Sequence, residues 1–389
     1  TKMFKKFLIS LIFLSSIIVT NNTFAEMGKS GRIKESSTSN LGEYRNSFLR
    51  YYLQDANRNS RYTITASNKP YQFNKKIKKN EFVSKQLSNS GLISYLLYEN
   101  GIITVDQKSP VNRLGDMFDD NTQFNSQSVG KSIISYILGH AICEGFIPSI
   151  EHKINDWPLI ENTLYHNQRV IDLINMKAGD SSFFKYSKIL KNGKNLNNYL
   201  AEDLIELHLR GSKPGGKKFN YNGFLPNLIN NYIYFKVGEE NHKKFLKKIF
   251  HEKIKTENEV FFLWKPYGSK SFRSTFFASR YDFLRIARAM LIDWQNDTCV
   301  GKYLKNILKQ KANRQTRKKS PFSSAAGYAG FFHTDFKYGF GKLSGNVFGM
   351  NGYGGQNIFI NFDNGKIVSA HAAHQDYNWK KIIFKAVDK

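Results

Sequence analysis

The stretch from Ser128 to Ile142 constrains this chain more than any other. It reads Ser-Val-Gly-Lys-Ser-Ile-Ile-Ser-Tyr-Ile-Leu-Gly-His-Ala-Ile. After Lys131 come about three turns of apolar, helix-compatible residues, which call for a buried helix. The segment nevertheless opens on a serine and a lysine three apart. A polar run precedes it, with Asp119-Asp120-Asn121-Thr122 and then Asn125-Ser126-Gln127, as expected of a loop feeding a helix start. On a helix, positions i and i+3 share a face, so Lys131 comes within hydrogen-bond reach of the Ser128 hydroxyl. A neutral lysine amine can take the hydroxyl proton, and a charged one can support the alkoxide. In the first turn, backbone N–H groups and the helix dipole favour developing negative charge. Gly130 is expected to leave room beside the nucleophile.

Spacing alone does not make this argument. Ser182-Phe183-Phe184-Lys185 has the same Ser-x-x-Lys pattern. A lysine- and asparagine-rich stretch follows it, with no core face, so Ser182 is read as a decoy.

The chain has 389 residues, 41% of them hydrophobic, enough for a sizeable core in one large domain or two lobes. Residues 1–25 are set apart. Lys2, Lys5 and Lys6 form a basic start, Phe7 to Val19 is apolar except for three serines, and Thr23-Phe24-Ala25 ends in a small residue. This pattern predicts a secretory signal peptide cleaved after Ala25. The apolar core is short for a membrane span. The expected location is therefore periplasmic or secreted. The net charge of +27 raises nucleic acid as a partner. The lysines are scattered, however, and the densest runs (Lys75-Lys76 to Lys79, Arg314 to Lys319) are short and polar-flanked. A solvated surface fits better than a nucleic-acid interface, with at most weak attraction to an anionic envelope surface. Export permits a bridge between the two cysteines, Cys143 and Cys299. The favoured reading is instead that Cys143 serves as a free, small apolar residue on the buried side of the helix. No cysteine cluster suggests zinc. His371 and His374 fall at the end of an expected strand, where they would point opposite ways. No metal and no cofactor is expected.

Residues 26–85 read as an N-terminal extension with a short helix around Tyr44 to Leu53. The main domain is expected over 86–389. Ile93 to Glu99 and Ile102 to Asp106 flank Asn100-Gly101, a strong hairpin signal. A mainly helical lobe is expected over about 120–255. Residues 279–295 read as an amphipathic helix with a serine cap. Strands follow at about 337–350, 356–362 and 366–371, and a last helix at about 377–388. Strands at both ends with helices between them predict an α+β fold, an antiparallel sheet flanked by helices with an inserted helical lobe.

Two further segments carry chemistry. Tyr221 follows a Pro214-Gly215-Gly216 loop in Phe219-Asn220-Tyr221-Asn222-Gly223. Gly352-Tyr353-Gly354-Gly355-Gln356 enters a strand, where glycines allow a ligand to approach the backbone closely. A free N–H there, paired with that of Ser128, would form an oxyanion hole. Taken alone, Tyr221 reads more readily as a half-buried aromatic, and the glycine segment equally as a tight turn.

In this order and spacing, the three elements resemble the serine β-lactamase and penicillin-binding family. The nearest look is to its class C-related branch of esterases and 6-aminohexanoate-dimer hydrolases. The segment Asp172-Leu173-Ile174-Asn175-Met176-Lys177-Ala178-Gly179 is similar to the family's Leu-Leu-x-Met-x-Ser-Gly stretch. The resemblance runs from about residue 90 to 385. It implies the family fold, an antiparallel sheet flanked by helices with the site between it and a helical lobe. It also implies roles: Ser128 as nucleophile, Lys131 as base or electrostatic support, Tyr221 as proton relay at the leaving group, and the N–H groups of Ser128 and Gln356 as the oxyanion hole. Asn222, Tyr353, Gly354 and Gly355 would then contact substrate.

Two departures shape the substrate expectation. The family's Tyr-x-Asn is Tyr221-Asn222-Gly223 here, with Asn222 as the available substitute. The family's Lys-Thr-Gly is Tyr353-Gly354-Gly355, which lacks the cation that anchors a substrate carboxylate. Such a charge-assisted contact is worth about 1.5–3 kcal/mol. The expected activity is therefore hydrolysis of a small ester or linear amide through a Ser128 acyl-enzyme. Two rivals stand beside it: a β-lactamase or D-alanyl peptidase, and a non-catalytic binding protein on the same scaffold.

Overall fold

The computed structural model describes residues 41–49, 60–185, 188–191, 194–195, 205–265, 271–317, 319–338 and 341–388. The expected signal segment, residues 1–25, lies outside them, as does much of the N-terminal extension. The short helix expected there spans Leu41–Phe48.

The longer strands, in chain order, are β1 (Arg61–Ile64), β2 (Leu92–Glu99), β3 (Ile102–Lys108), β4 (Val260–Lys265), β5 (Ser271–Ala278), β6 (Ala325–Ala329), β7 (Phe332–Tyr338), β8 (Val347–Gly352), β9 (Gln356–Asn361) and β10 (Lys366–Ala372). The helices used below are α1 (Val129–Cys143), α2 (Phe224–Val237), α3 (Arg280–Gln295) and α4 (Cys299–Lys309).

The main sheet runs in the spatial order β6, β7, β8, β9, β10, β2, β3. Every one of these neighbours is antiparallel. The amino-terminal hairpin β2–β3 thus joins the carboxy-terminal strands, and β10 pairs with β2 from Ile367 opposite Tyr98 to Ala372 opposite Leu92. At the β2–β3 turn, Asn100 and Gly101 both hold positive φ, 52° and 82°, the geometry a two-residue hairpin requires. Apolar side chains leave both faces of this sheet. The larger core lies on the side of α1 and α3. A smaller one lies under Glu81–Asn89 and the last helical turns, Lys380–Phe384 and Lys385–Val387.

Helix α1 is apolar nearly all round and buried nearly all round, with Ile133, Ile134, Ile137, Leu138 and Ala141 each at most 1% exposed. A helix of that pattern needs partners on every side. It has them in α2, α4, β5 and the edges of β8 and β9. Cys143 and Cys299 are disulfide-bonded and tie the end of α1 to the start of α4. Of the two readings left open by the sequence, the bridge, the less favoured, is the one adopted. Helix α3 starts as expected, with the Ser279 side chain accepting from the Asp282 N–H.

Two expectations need correction. The strand expected at 337–350 is two strands, β7 and β8. The segment Gly341–Lys342 folds back onto Lys337 and Tyr338, so the chain reverses where the composition still looks β-prone. Strands β4 and β5, with β1 and Phe124–Asn125, form a second antiparallel sheet that the sequence reading did not anticipate. It buries both faces: Phe262 and Phe276 enter the main core, and Phe261 and Phe277 a separate cluster, all 1% exposed or less. Aromatic runs this continuous lack the alternation that marks a half-exposed strand.

Candidate active site

The second sheet sets the position of Ser128. Phe124 and Asn125 pair with Ala278 and Phe277 of β5. Ser126 then donates its N–H to the Phe276 carbonyl at 2.7 Å, and its Oγ accepts from the Phe276 N–H at 3.0 Å. Gln127 follows at φ +48°, a conformation that non-glycine residues adopt rarely and that concentrates at functional turns. Its N–H is held by the Asn125 Oδ1 at 2.7 Å. The chain enters α1 through this clamped turn. Ser128 occupies the cap position but already has helical backbone angles, φ −71° and ψ −7°, and its side chain makes no capping bond. The hydroxyl is left for other chemistry.

That hydroxyl meets Lys131, whose Nζ donates to Ser128 Oγ at 2.7 Å. Lys131 is only 6% exposed, and no carboxylate of the described residues pairs with it. Its Nζ sits 5.1 Å from the centre of the Tyr221 ring. Ser128, Lys131 and Tyr221, up to 93 residues apart in sequence, thus come together. Tyr221 also packs edge-on against Phe322 and lies 6.3 Å from the His333 ring. Burial, then the charges of Arg314 and Lys131, hold the His333 imidazole well below its usual titration range. It is neutral, and its Nδ1 faces Arg314 Nη1 at 3.0 Å.

The loop carrying Tyr221 is fixed from below by Asp180. This carboxylate is fully buried and accepts from Tyr165, Asn220 and Asn222, each at 3.1 Å. Burial raises its pKa against the lowering by these donors. Gly179, at φ +72°, lets the neighbouring strands of chain close: its carbonyl accepts from the Gly215 N–H at 2.7 Å.

The glycine turn arrives from the main sheet. Gly352 ends β8 opposite Gln356, which opens β9. A Cβ on Gly352 would lie 2.7 Å from the Ser126 carbonyl oxygen and 3.0 Å from Gln127 Cβ. The turn therefore packs directly on the segment that delivers Ser128. Gly354 and Gly355 hold φ of 80° and 100°. The Tyr377 hydroxyl donates to the Gly355 carbonyl at 2.8 Å, and Asn357 Nδ2 donates to the same oxygen at 3.2 Å. The Gln356 side chain is buried, donating to the Ala372 carbonyl and meeting His371 Nδ1 at 3.1 Å. Tyr353 stands 54% exposed at the lip.

Ser128, Lys131 and Tyr221 converge, and the 352–356 turn lies against the turn before Ser128. Asn222 does not join them. It is fully buried, its Oδ1 accepts from the Phe224 and Leu225 N–H groups at 3.0 Å, and its Nδ2 donates to Asp180 and the Asn220 carbonyl. Both ends of the amide are occupied, so Asn222 caps α2 rather than contacting substrate. Gly130 has a different task from the one expected. A Cβ there would fall 2.0 Å from the Ser274 carbonyl oxygen; the glycine lets α1 approach β5, not a ligand. The sequence reading missed Arg314, His333 and Asp180. A lone Arg or His in a basic chain gives no local signal, whereas Asp180 beside a loop glycine could have been noticed.

No protein-family model matches the chain, and no curated protein sequence matches it. Solved structures do. A Bacillus anthracis protein described as a 6-aminohexanoate-dimer hydrolase superposes with a TM-score of 0.63 at 13% identity, covering 91% of this chain and 97% of its own. EstCE1, a hydrolase with promiscuous acyltransferase activity, gives 0.55 at 11% identity, covering 77% and 93%. A class C β-lactamase in complex with cefoxitin gives 0.52 at 10% identity, covering 77% and 92%. The chain has the fold of the serine β-lactamases, with an antiparallel sheet and flanking helices.

Proposed function

We propose that the protein is an exported serine hydrolase that cleaves a small ester or linear amide through an acyl-enzyme on Ser128. The observation that carries this reading is the 2.7 Å contact between Lys131 Nζ and Ser128 Oγ beside the Tyr221 ring. In the proposed reaction, Ser128 Oγ loses its proton to Lys131 or, through it, to Tyr221, and bonds to the substrate carbonyl carbon. The resulting oxyanion is met by the N–H groups of Ser128 and Gln356. The bond to the leaving oxygen or nitrogen then breaks, and the leaving atom takes a proton from the Tyr221–Lys131 pair. Water adds to the acyl carbon, gives its proton to the same pair, and releases the acid, while Ser128 Oγ recovers its hydrogen. Tyr353, Gly354 and Gly355 would form the substrate-facing lip.

Export is supported by the basic-then-apolar start of the sequence and by the Cys143–Cys299 bridge, which an oxidising compartment preserves. The periplasm or the exterior is the proposed location, and contact with anionic envelope surfaces rests on the charge of +27 alone. A fluorophosphonate probe should label the protein and fail to label Ser128→Ala. Folded wild-type protein that resists the probe would favour a binding protein on a hydrolase scaffold. Turnover of nitrocefin in preference to short p-nitrophenyl esters would favour a penicillin-recognising enzyme.

A further inference from the structure

Arg314 is a cation with no Asp or Glu partner among the described residues, set beside a ring that packs on Tyr221. It follows the edge strand Ala312–Asn313, and its N–H bonds to the Ala326 carbonyl at 2.8 Å. The guanidinium lies over two aromatic rings, with Cζ 4.4 Å from the centre of Phe322 and 5.2 Å from that of Phe219. Its Nη1 donates to neutral His333 at 3.0 Å, while its Nε is buried with no hydrogen-bond partner. Among the described residues no Asp or Glu pairs with it. Burial lowers the pKa of this group against the raising influence of Tyr328 and Tyr221, so the charged form is left under-compensated. The residue as a whole is only partly buried, and residues 315 and 317 beside it are exposed.

Phe322 links Arg314 to the site: the ring that carries the guanidinium also packs on Tyr221, 5.1 Å between centroids. His333 lies against Tyr221 as well, and feels the charges of both Arg314 and Lys131. Arg314 therefore lies close to Tyr221, and among the described residues no carboxylate pairs with it or with Lys131. A planar fork of donors lying close to two rings, with a charge that no described carboxylate answers, suits a carboxylate.

We infer that Arg314, held by Phe219, Phe322 and His333, binds a carboxylate on the substrate at a distance from the bond that is cut. The inference rests on the hydrolase reading for its site, but not for its test. The enzyme's natural substrates are then monoanionic esters or amides, and selectivity against neutral analogues is carried by one side chain.

The test uses matched pairs of esters. In one series the carboxylate is on the acyl side, as mono-p-nitrophenyl esters of dicarboxylic acids from succinic to suberic, each paired with its methyl-capped neutral counterpart. In the other it is on the leaving group, as 4-acetoxybenzoate paired with phenyl acetate. At least one anionic member should exceed its neutral partner at least tenfold in kcat/KM, and this ratio should collapse toward one in Arg314→Gln. Arg314→Lys, which keeps charge but loses the fork, should retain an intermediate ratio. The ratio is internal to each variant, so a general loss of folding or activity does not move it. If wild-type protein turns over no ester, calorimetric binding of the same dicarboxylic acid monomethyl esters to Ser128→Ala protein decides the matter. Binding weakened at least tenfold by adding Arg314→Gln supports the inference while the hydrolase reading fails. Equal ratios in wild type and Arg314→Gln, or binding indifferent to Arg314, overturn it.

Discussion

Ser128-Val-Gly-Lys131 and Ser182-Phe-Phe-Lys185 share a spacing and nothing else. The first opens a fifteen-residue buried helix, with its serine hydroxyl bonded to a lysine that is 6% exposed. The second starts in a turn, with Ser182 exposed, and runs into the two-residue strand Phe184–Lys185. There positions i and i+3 do not share a face. The difference teaches that a Ser-x-x-Lys motif is a statement about a helix. Chemistry comes from the frame around it: the Ser126 bonds to β5, the Gln127 backbone, and the packing of α1 on all sides.

The sharpest way to break the comparison is to remove each serine in turn. Ser128→Ala and Lys131→Ala should each lower kcat/KM for an activated ester by roughly a thousandfold or more, while Ser182→Ala should stay within about twofold. Ester kinetics on the three purified variants check this. A large loss in Ser182→Ala would reverse the assignment.

Acid should unsettle the frame next. His140 on α1 is partly buried, with its pKa lowered to about 4, mainly by desolvation. His371, bonded to Gln356 behind the glycine turn, is lowered to about 3 by desolvation and then Arg280. Both folded values lie below the ordinary 6.5. Their contribution to stability is therefore fully present above pH 6.5 and is lost as the pH falls from there toward 3–4. At pH 5 the loss is on the order of 2 kcal/mol for each residue. Urea unfolding at pH 7 and pH 5 should show it, and His140→Gln should flatten the dependence by about one residue's share.

The bridge at the far end of the same helix comes next. Cys143→Ser with Cys299→Ser should lower stability by about 2–4 kcal/mol, read as a drop in the thermal midpoint under non-reducing conditions. A midpoint equal to that of wild type would mean that the two cysteines contribute nothing beyond packing.

The smallest stability effect sharpens the role of Gly130. Alanine ordinarily favours a helix over glycine by up to about 1 kcal/mol. Here the added methyl would meet the Ser274 carbonyl at 2.0 Å, so Gly130→Ala should instead destabilise by about 1–3 kcal/mol. A stabilised variant would show that α1 can draw away from β5.

What the sequence made legible follows the same division. Helix α1, the Asn100-Gly101 turn and the Ser279 cap were readable because each rests on local rules of periodicity, positive φ and capping. The antiparallel sheet built from both ends of the chain could be inferred from strand signals around Ile93–Asp106 and beyond residue 337. The strands β4 to β7 were not readable. Phe261-Phe262 and Phe276-Phe277 bury both faces and erase the period of two, and the β6–β7 turn is made by Gly330 and Phe331, the latter at φ 70°, where no local rule expects a turn. Asn222 was misassigned because an amide beside Tyr221 can face either the site or the helix start, and only the fold selects the second. Arg314 and His333 reach Tyr221 from more than 90 residues away, and such a meeting has no signature in the chain.

The account depends most on Ser128 being nucleophilic. Intact-protein and peptide mass spectrometry after brief exposure to an activated ester tests this directly. An acyl adduct confined to the peptide that contains Ser128, and absent from Lys131→Ala protein, is the predicted result. An unmodified folded protein, or an adduct carried by another residue, would contradict it.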